Sequence, residues 1–204
     1  MAAVVVDLSM SLDGFIAGPN DTKEQGLGTG GEVLHEWYFN GDTAYPRKNS
    51  MNLKPAEGSY EIVDEMYTDT GSMVVGRRMY DLVEGWGGNH PIPNIPVYVV
   101  THQPPANPPK GHTPLHYVTD GVESAIQQAK AAAGDKNVVM QGASVAQQGI
   151  KAGLVDELLI HVVPVLLGGG VRLFDHLGTQ PIELETLQVT KAVGVTHLRF
   201  RVVK

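Results

Sequence analysis

"MVVGRRMYDL", residues 73–82, is the stretch on which the reading of the fold turns. Three apolar residues run straight into a glycine and two adjacent arginines, and a helix-compatible stretch follows. It reads as a buried strand passing through a tight turn into a helix. The end of that strand aims two guanidinium groups at one spot, an arrangement suited to an anion.

The 204 residues are 42% hydrophobic, enough for one good-sized core, and no convincing linker divides them, so residues 1–204 are read as a single domain. Fifteen Lys and Arg against 22 Asp and Glu leave a net charge of −7. That field repels polyanions, which argues against nucleic acid or a membrane surface as a partner, so Arg77 and Arg78 must act locally. There is no cysteine, hence no disulfide and no thiolate zinc site. The opening "MAAVVVDLSM" lacks a basic start and meets Asp7 after five apolar residues, too short for a signal or a span. A cytoplasmic protein is expected.

Working outward, short apolar runs fall at 2–8, 72–76, 96–101, 115–118, 137–141, 157–163, 183–193 and 195–203. Several are continuous and Val-rich, as in parallel strands buried on both faces. Helical patterns lie between them. "GGEVLHEWYF" puts Leu34, Trp37 and Tyr38 on one face, and "SYEIVDEMYTDT" does the same with Ile62, Val63, Met66 and Tyr67. "DGVESAIQQAKAAAG" opens on Asp120 as N-cap with Glu123 three residues on and closes at Gly134; "ASVAQQGIKAG" closes at Gly153. The alternation predicts an α/β sheet with helices on both faces. The last two strands turn at Gly194 and predict an antiparallel hairpin. Residues 40–58 and 102–114 are Pro-, Gly- and Asn-rich and read as surface loops.

Ligands of parallel sheets bind beyond the carboxyl ends of the strands. There the sequence places the loop "SMSLDGFIAGP" with Asp13, then Gly76-Arg77-Arg78, then Thr101-His102, then Gly142-Ala143-Ser144 opening a helix. Gly142-Ala143 lets a pyrophosphate approach the helix N-terminus, and an arginine with Thr101 suits a further phosphate. NADPH satisfies all of these, although each is also an ordinary βα turn. "GLGTGG" at 26–31 lacks a preceding strand and reads as a loop. "GASVA" resembles a nucleophile elbow without its second glycine, which leaves a serine hydrolase using Ser144 as a rival. His112 and His116 are separated by Pro114 and cannot align on a metal, and no metal site is expected. A nucleotide-binding module without turnover is a third reading.

"MSLDGFIAGP", "VVGRRMYD", "VYVVTH", "VVMQGASVAQQGI" and "LVDELLIHVVPVLLGGGVRLF" together resemble, in order, the dihydrofolate-reductase-like superfamily. The closer likeness is to the reductase domain of the bifunctional riboflavin-biosynthesis deaminase–reductase. No zinc-binding His/Cys signature of a deaminase occurs in the chain, so a stand-alone member is expected. The resemblance implies a mostly parallel eight-stranded sheet, a homodimer, NADPH as hydride donor, and a small pterin-, flavin-pathway- or imine/carbonyl-type substrate. It implies that Gly76, Arg77, Arg78 and Met79 bind the 2′-phosphate and pyrophosphate with Thr101 and His102, and that Gly142, Ala143, Ser144 and Val145 form the pyrophosphate helix start. Leu12, Gly14, Ile16 and Ala17 belong to the loop over the nicotinamide. Leu34, Trp37 and Gly169 line the substrate cleft. Leu34 stands where dihydrofolate reductases carry a helix carboxylate, so dihydrofolate is expected to be a poor substrate and Asp13 becomes the candidate acid.

Overall fold

The first strand, β1 (Val4–Ser11), shows how the Val-rich runs divide two cores between them. In the computed structural model, which describes residues 3–46 and 51–204, successive side chains of β1 point to opposite faces. Val4 and Val6 join a core with α3 (Val122–Ala133) and α4 (Ala143–Lys151). The opposite face packs on α1 (Tyr60–Asp69), α2 (Arg77–Leu82) and a 3-10 turn at Gly31–Tyr38. The same division holds on β3 (Thr70–Gly76), where Val74 joins the first core and Met73 and Val75 the second.

The remaining strands are β2 (Phe15–Ala17), β4 (Val97–Val100), β5 (Leu115–Val118), β6 (Asn137–Gln141), β7 (Glu157–Val163), β8 (Val171–Arg172), β9 (Leu184–Ala192) and β10 (Val195–Val202). The main sheet runs β5-β4-β3-β6-β1-β7-β10-β9. All pairings from β5 to β7 are parallel, and β10 runs antiparallel to β7 and to β9. The sheet is thus mostly parallel and eight-stranded, with helices on both faces and a C-terminal hairpin turning at Gly194, in agreement with the sequence reading. Among the described residues, no helix is long and apolar enough to cross a membrane.

Four local expectations are corrected. "GEVLHEWY" winds as a 3-10 turn, so burial recurs every third residue, at Gly31, Leu34 and Trp37, and Tyr38 leaves that face. The N-cap of α3 is Gly121, at φ 106°, and Asp120 makes no cap. The 40–58 segment is not all surface. Tyr45, Leu53 and Ala56 are buried against α1 and the 3-10 turn, and residues 47–50 lie outside the described residues, as does residue 2 of the first expected strand. Finally, "LLIHVVPVLLGGGVRLF" leaves little strand surface exposed, because β7 lies inside the sheet between β1 and β10. The exposed apolar edge is β9, with Leu184, Leu187 and Val189 on it.

A second, two-stranded ribbon of β2 and β8 escaped the sequence reading because its strands have only three and two residues. It explains both glycine-rich stretches. A Cβ on Gly28 would stand 2.3 Å from the Gly18 carbonyl oxygen, and one on Gly170 would stand 2.0 Å from that of Ala17. "GLGTGG" and "LLGGG" are therefore close backbone packing at the ribbon. Gly170 also sits at φ +127°, where an L side chain is strained. Gly170→Ala should lower stability by about 1–3 kcal/mol through overpacking alone, read as a lower midpoint in denaturant unfolding.

Candidate active site

The carboxyl ends of the parallel strands open into a cleft of about 980 Å³. That is the upper end of the range for small-molecule sites and leaves room for a dinucleotide. Ile16, Ala17, Gly76, Arg77, Arg78, Met79, Thr101, His102, Gly142, Ala143, Ser144 and Val145 all line it. Leu12, Asp13, Gly14, Leu34, Trp37 and Gly169 do not. Of the loop after β1, Ile16 and Ala17 reach the cleft and the residues around Asp13 do not.

The turn after β3 brings the two arginines there. Arg77 is held from several sides: Nε donates to both Asp81 carboxylate oxygens at 2.8 and 2.9 Å. Its Nη1 donates to Thr101 Oγ1 at 3.3 Å and to the Gln103 carbonyl at 2.6 Å. Nη2 makes no hydrogen bond among the described residues, so a fixed guanidinium presents one free edge. Arg78 is instead engaged by Asp21, which lines the same cleft, through both its Nε and Nη2. The Arg78 hydrogen bond, assisted by its charge, holds the Asp21 carboxyl below its usual range. α4 begins at Gly142, φ 101°, and turns its N-terminus and Ser144 to the cleft. Ser144 Oγ accepts from Gln148 Nε2 at 3.0 Å, and no histidine reaches it among the described residues, which leaves the hydrolase reading without a base.

Asp13 closes the loop that carries it. Its carboxylate accepts from Ser11 Oγ at 2.6 Å, from the Leu167 N–H at 3.1 Å and from the Gly168 N–H at 2.7 Å. The Ser11 hydroxyl above all, with the Gly168 and Leu167 N–H groups, holds its pKa below the ordinary value against the opposing effect of desolvation. Arg172 donates to the Asp13 carbonyl at 3.2 Å and lies over the Phe15 ring at 4.4 Å, joining β8 to the same loop.

At the other end of the cleft lies a buried polar chain. Asp7, on the α1 face of β1, pairs its Oδ1 with His161 Nε2 at 2.9 Å. His161 Nδ1 meets His197 Nδ1 at 2.8 Å, and His197 Nε2 meets Ser59 Oγ at 2.9 Å. His161 and His197 sit directly opposite each other across β7 and β10. Trp37 covers the chain, its ring centroid 4.8 Å from His161 and 4.9 Å from His197, while its Nε1 donates to Ser9 Oγ at 3.0 Å. Asp7, Ser9, His35 and Tyr38 line the cleft here. The 3-10 winding thus turns His35 and Tyr38 to the cleft and sends the expected Leu34 and Trp37 into the core. Asp7 lies within a strand rather than beyond its end, so a search of the strand ends passes over it. The signal that finds it is the alternation inside β1, where Asp7, Ser9 and Ser11 interleave with Val6, Leu8 and Met10.

Burial pushes His197 down to about 3, aided by His161, and His35 and His90 down to about 4, mainly by desolvation. These rings are neutral when folded but take up protons near 6.5 when exposed by unfolding. Because their folded values are depressed, the unfolded chain binds more protons below that point. Stability should be fully present above pH about 6.5 and fall as the pH drops towards about 4. Denaturant midpoints across that window, together with proton uptake on unfolding, check this.

Comparison with known proteins agrees with the architecture. The uncharacterised protein YwjB of Bacillus subtilis (strain 168) is 25% identical over 197 residues, 96% of this chain and 97% of that protein. A solved structure from Shewanella sp. PV-4 named for riboflavin biosynthesis superposes with a TM-score of 0.71 at 22% identity, covering 99% of both chains. Dihydrofolate reductase from Enterococcus faecalis, complexed with NADP(H), superposes at 0.52 with 12% identity over 99% of this chain and 97% of that one. The dihydrofolate-reductase-like fold expected from the sequence is therefore present. The profile described as the RibD C-terminal domain matches residues 2–198, and the chain belongs to that family.

Proposed function

We propose that the chain is an NADPH-dependent reductase of a small pterin-, flavin-pathway- or imine/carbonyl-type compound. Family membership supports an oxidoreductase, and the fold is shared with a reductase that binds NADP(H). The observation that carries the cofactor reading is the set of groups in one cleft: the free edge of the Arg77 guanidinium, which Thr101 helps to fix, with His102 and the α4 N-terminus with Ser144. In a chain of net charge −7, a cleft with these donors suits phosphate oxygens. Arg77, fixed in part by Thr101, and His102 would hold the 2′-phosphate, and Gly142 to Val145 the pyrophosphate. Bound there, the reduced nicotinamide supplies a hydride. Met79, Ile16 and Ala17 give the cleft an apolar lining that keeps water from the reacting atoms, and Arg78 with Asp21 closes one wall.

NADPH is expected to bind more tightly than NADH. Arg77→Ala should weaken NADPH about tenfold or more, since hydrogen bonds to charged groups contribute about 1.5–3 kcal/mol each, and should largely spare NADH. Calorimetric titration of both cofactors decides it, and equal affinities in the unmutated protein would sink the reading. Loss of NADPH absorbance across a panel of acceptors tests turnover. Cofactor binding with no turnover would favour a nucleotide-binding module.

The same reading includes a homodimer. The edge strand β9 is exposed along most of its length and carries Leu184, Leu187 and Val189, followed by Val193 at the hairpin turn. A long edge with apolar side chains is stable in solution when a second copy covers it. Light scattering should give twice the mass of one chain, and a value near 21.9 kDa at micromolar concentration would count decisively against pairing.

A further inference from the structure

The inner end of the cleft carries two unpartnered polar groups that the phosphate contacts leave unused. Asp7 is only 5% exposed and lines the cleft. Its Oδ1 is taken by His161, and no hydrogen bond reaches Oδ2 among the described residues. His35 lines the cleft from the 3-10 turn, and its buried Nδ1 has no partner among the described residues. Asp7 Oδ2, buried at the cleft wall without a partner among the described residues, is a group that a ligand would satisfy, and the His35 ring lines the same wall from a separate element.

The chain behind Asp7 can serve it in either protonation state. With Asp7 ionised, His161 donates Nε2–H to it, His197 donates Nδ1–H to His161, and Ser59 donates to His197 Nε2. With Asp7 protonated on Oδ2, Oδ1 still accepts from His161 Nε2–H and the chain behind it keeps its donors and acceptors. Neutral imidazoles in these tautomers leave no ring nitrogen of the chain orphaned.

We propose that Asp7 is the acid–base residue of this reductase, that His35 takes the second polar group of the substrate, and that His161, His197 and Ser59 are positioning residues. The inference rests on the reductase reading above. The substrate class it selects is a planar nitrogen heterocycle or imine with an N–H or basic nitrogen directed at Asp7. In the proton step the Asp7 Oδ2–H bond breaks, while Oδ1 stays hydrogen-bonded to His161. The proton goes to the nitrogen of the C=N bond being reduced, which holds the electron pair once hydride is on carbon. Asp7 is left as a carboxylate and regains a proton from solvent. The hydride and its two electrons come from the reduced dinucleotide, so the step needs no other reductant.

The test uses the isotopically labelled full chain, its imidazole nitrogen signals, and 2-aminopyridine as the ring probe. The probe should shift the His35 and His161 signals. Asp7→Asn, whose carbonyl still accepts from His161, should weaken the probe about tenfold or more while NADPH affinity stays within about twofold. His35→Phe should weaken the probe as well, and it stands in should Asp7→Asn fail to fold. Ser59→Ala should move the His197 and His161 signals and lower kcat with little change in KM, a split that a merely structural loss would not give. With any acceptor that the unmutated protein reduces, Asp7→Asn should cut kcat by about 10²–10⁴. Equal probe affinity in the unmutated protein and Asp7→Asn, or an unchanged kcat, overturns the proposal. A probe bound through Asp7 and His35 in a protein that never oxidises NADPH would refute the reductase reading and support the recognition site.

Discussion

The parallel pairing of β1 with both β6 and β7 buries the strand at the centre of the sheet, with Val4 and Val6 in one core and Asp7, Ser9 and Ser11 on the other face. Polar side chains in such a strand are largely withdrawn from water, and the fold brings a partner to each. Ser11 Oγ donates to Asp13 and accepts from the Phe15 N–H, which fixes the turn after the strand. Ser9 accepts from Trp37, which fixes the 3-10 turn on the sheet. Asp7 is matched by His161 and through it by His197 and Ser59, which ties the central strand to the C-terminal hairpin and to the start of α1. One alternating row of three residues thus sets the loop, the covering turn and one wall of the cleft.

The electrostatics of the cleft obey a different rule. An acidic chain that needs an anion site must concentrate cations locally and keep them from collapsing onto its own carboxylates. Arg77 meets that need because Asp81 and Thr101 take only part of its fork, leaving Nη2 free in a fixed orientation. Arg78 does not, since Asp21 holds its Nε and Nη2. Two adjacent arginines therefore divide into a fixed guanidinium with one free edge and a clasp between the loop after β2 and α2. An Arg–Arg pair alone, read from sequence, cannot distinguish these roles, because the partners lie 4 and 57 residues away.

Legibility in the sequence tracks the range of the forces involved. The eight main strands were legible because period-two and continuous apolar runs are local signals, and the hairpin at Gly194 because turn chemistry is local too. The strand ends that line the cleft were legible for the same reason, each leading into small or cationic residues. The winding of "GEVLHEWY" was not. A 3-10 and an α turn share their first residues, and the choice depends on Trp37 reaching Ser9 on another element. With it went the assignment of Leu34 and Trp37 to the cleft, since a change from 3.6 to 3.0 residues per turn sends His35 and Tyr38 there instead. The β2–β8 ribbon is set by backbone contacts between Gly170 and Ala17 that no side-chain pattern records.

The place of the carboxylate has a consequence for how the site works. A carboxylate on a short 3-10 turn would move with that turn, whose own hold on the sheet is one indole hydrogen bond and the packing of Leu34 and Trp37. Asp7 sits instead on the strand with parallel neighbours on both edges, among the least mobile backbone a sheet provides. Its height above the sheet is set by the direct opposition of His161 and His197 across β7 and β10. The apolar Leu34, at 0% exposure, then becomes free to seal the core beneath the turn. The cleft carboxylate thus stands on the rigid layer of the sheet, while the polar side chains of His35 and Tyr38 stand beside it on the 3-10 turn.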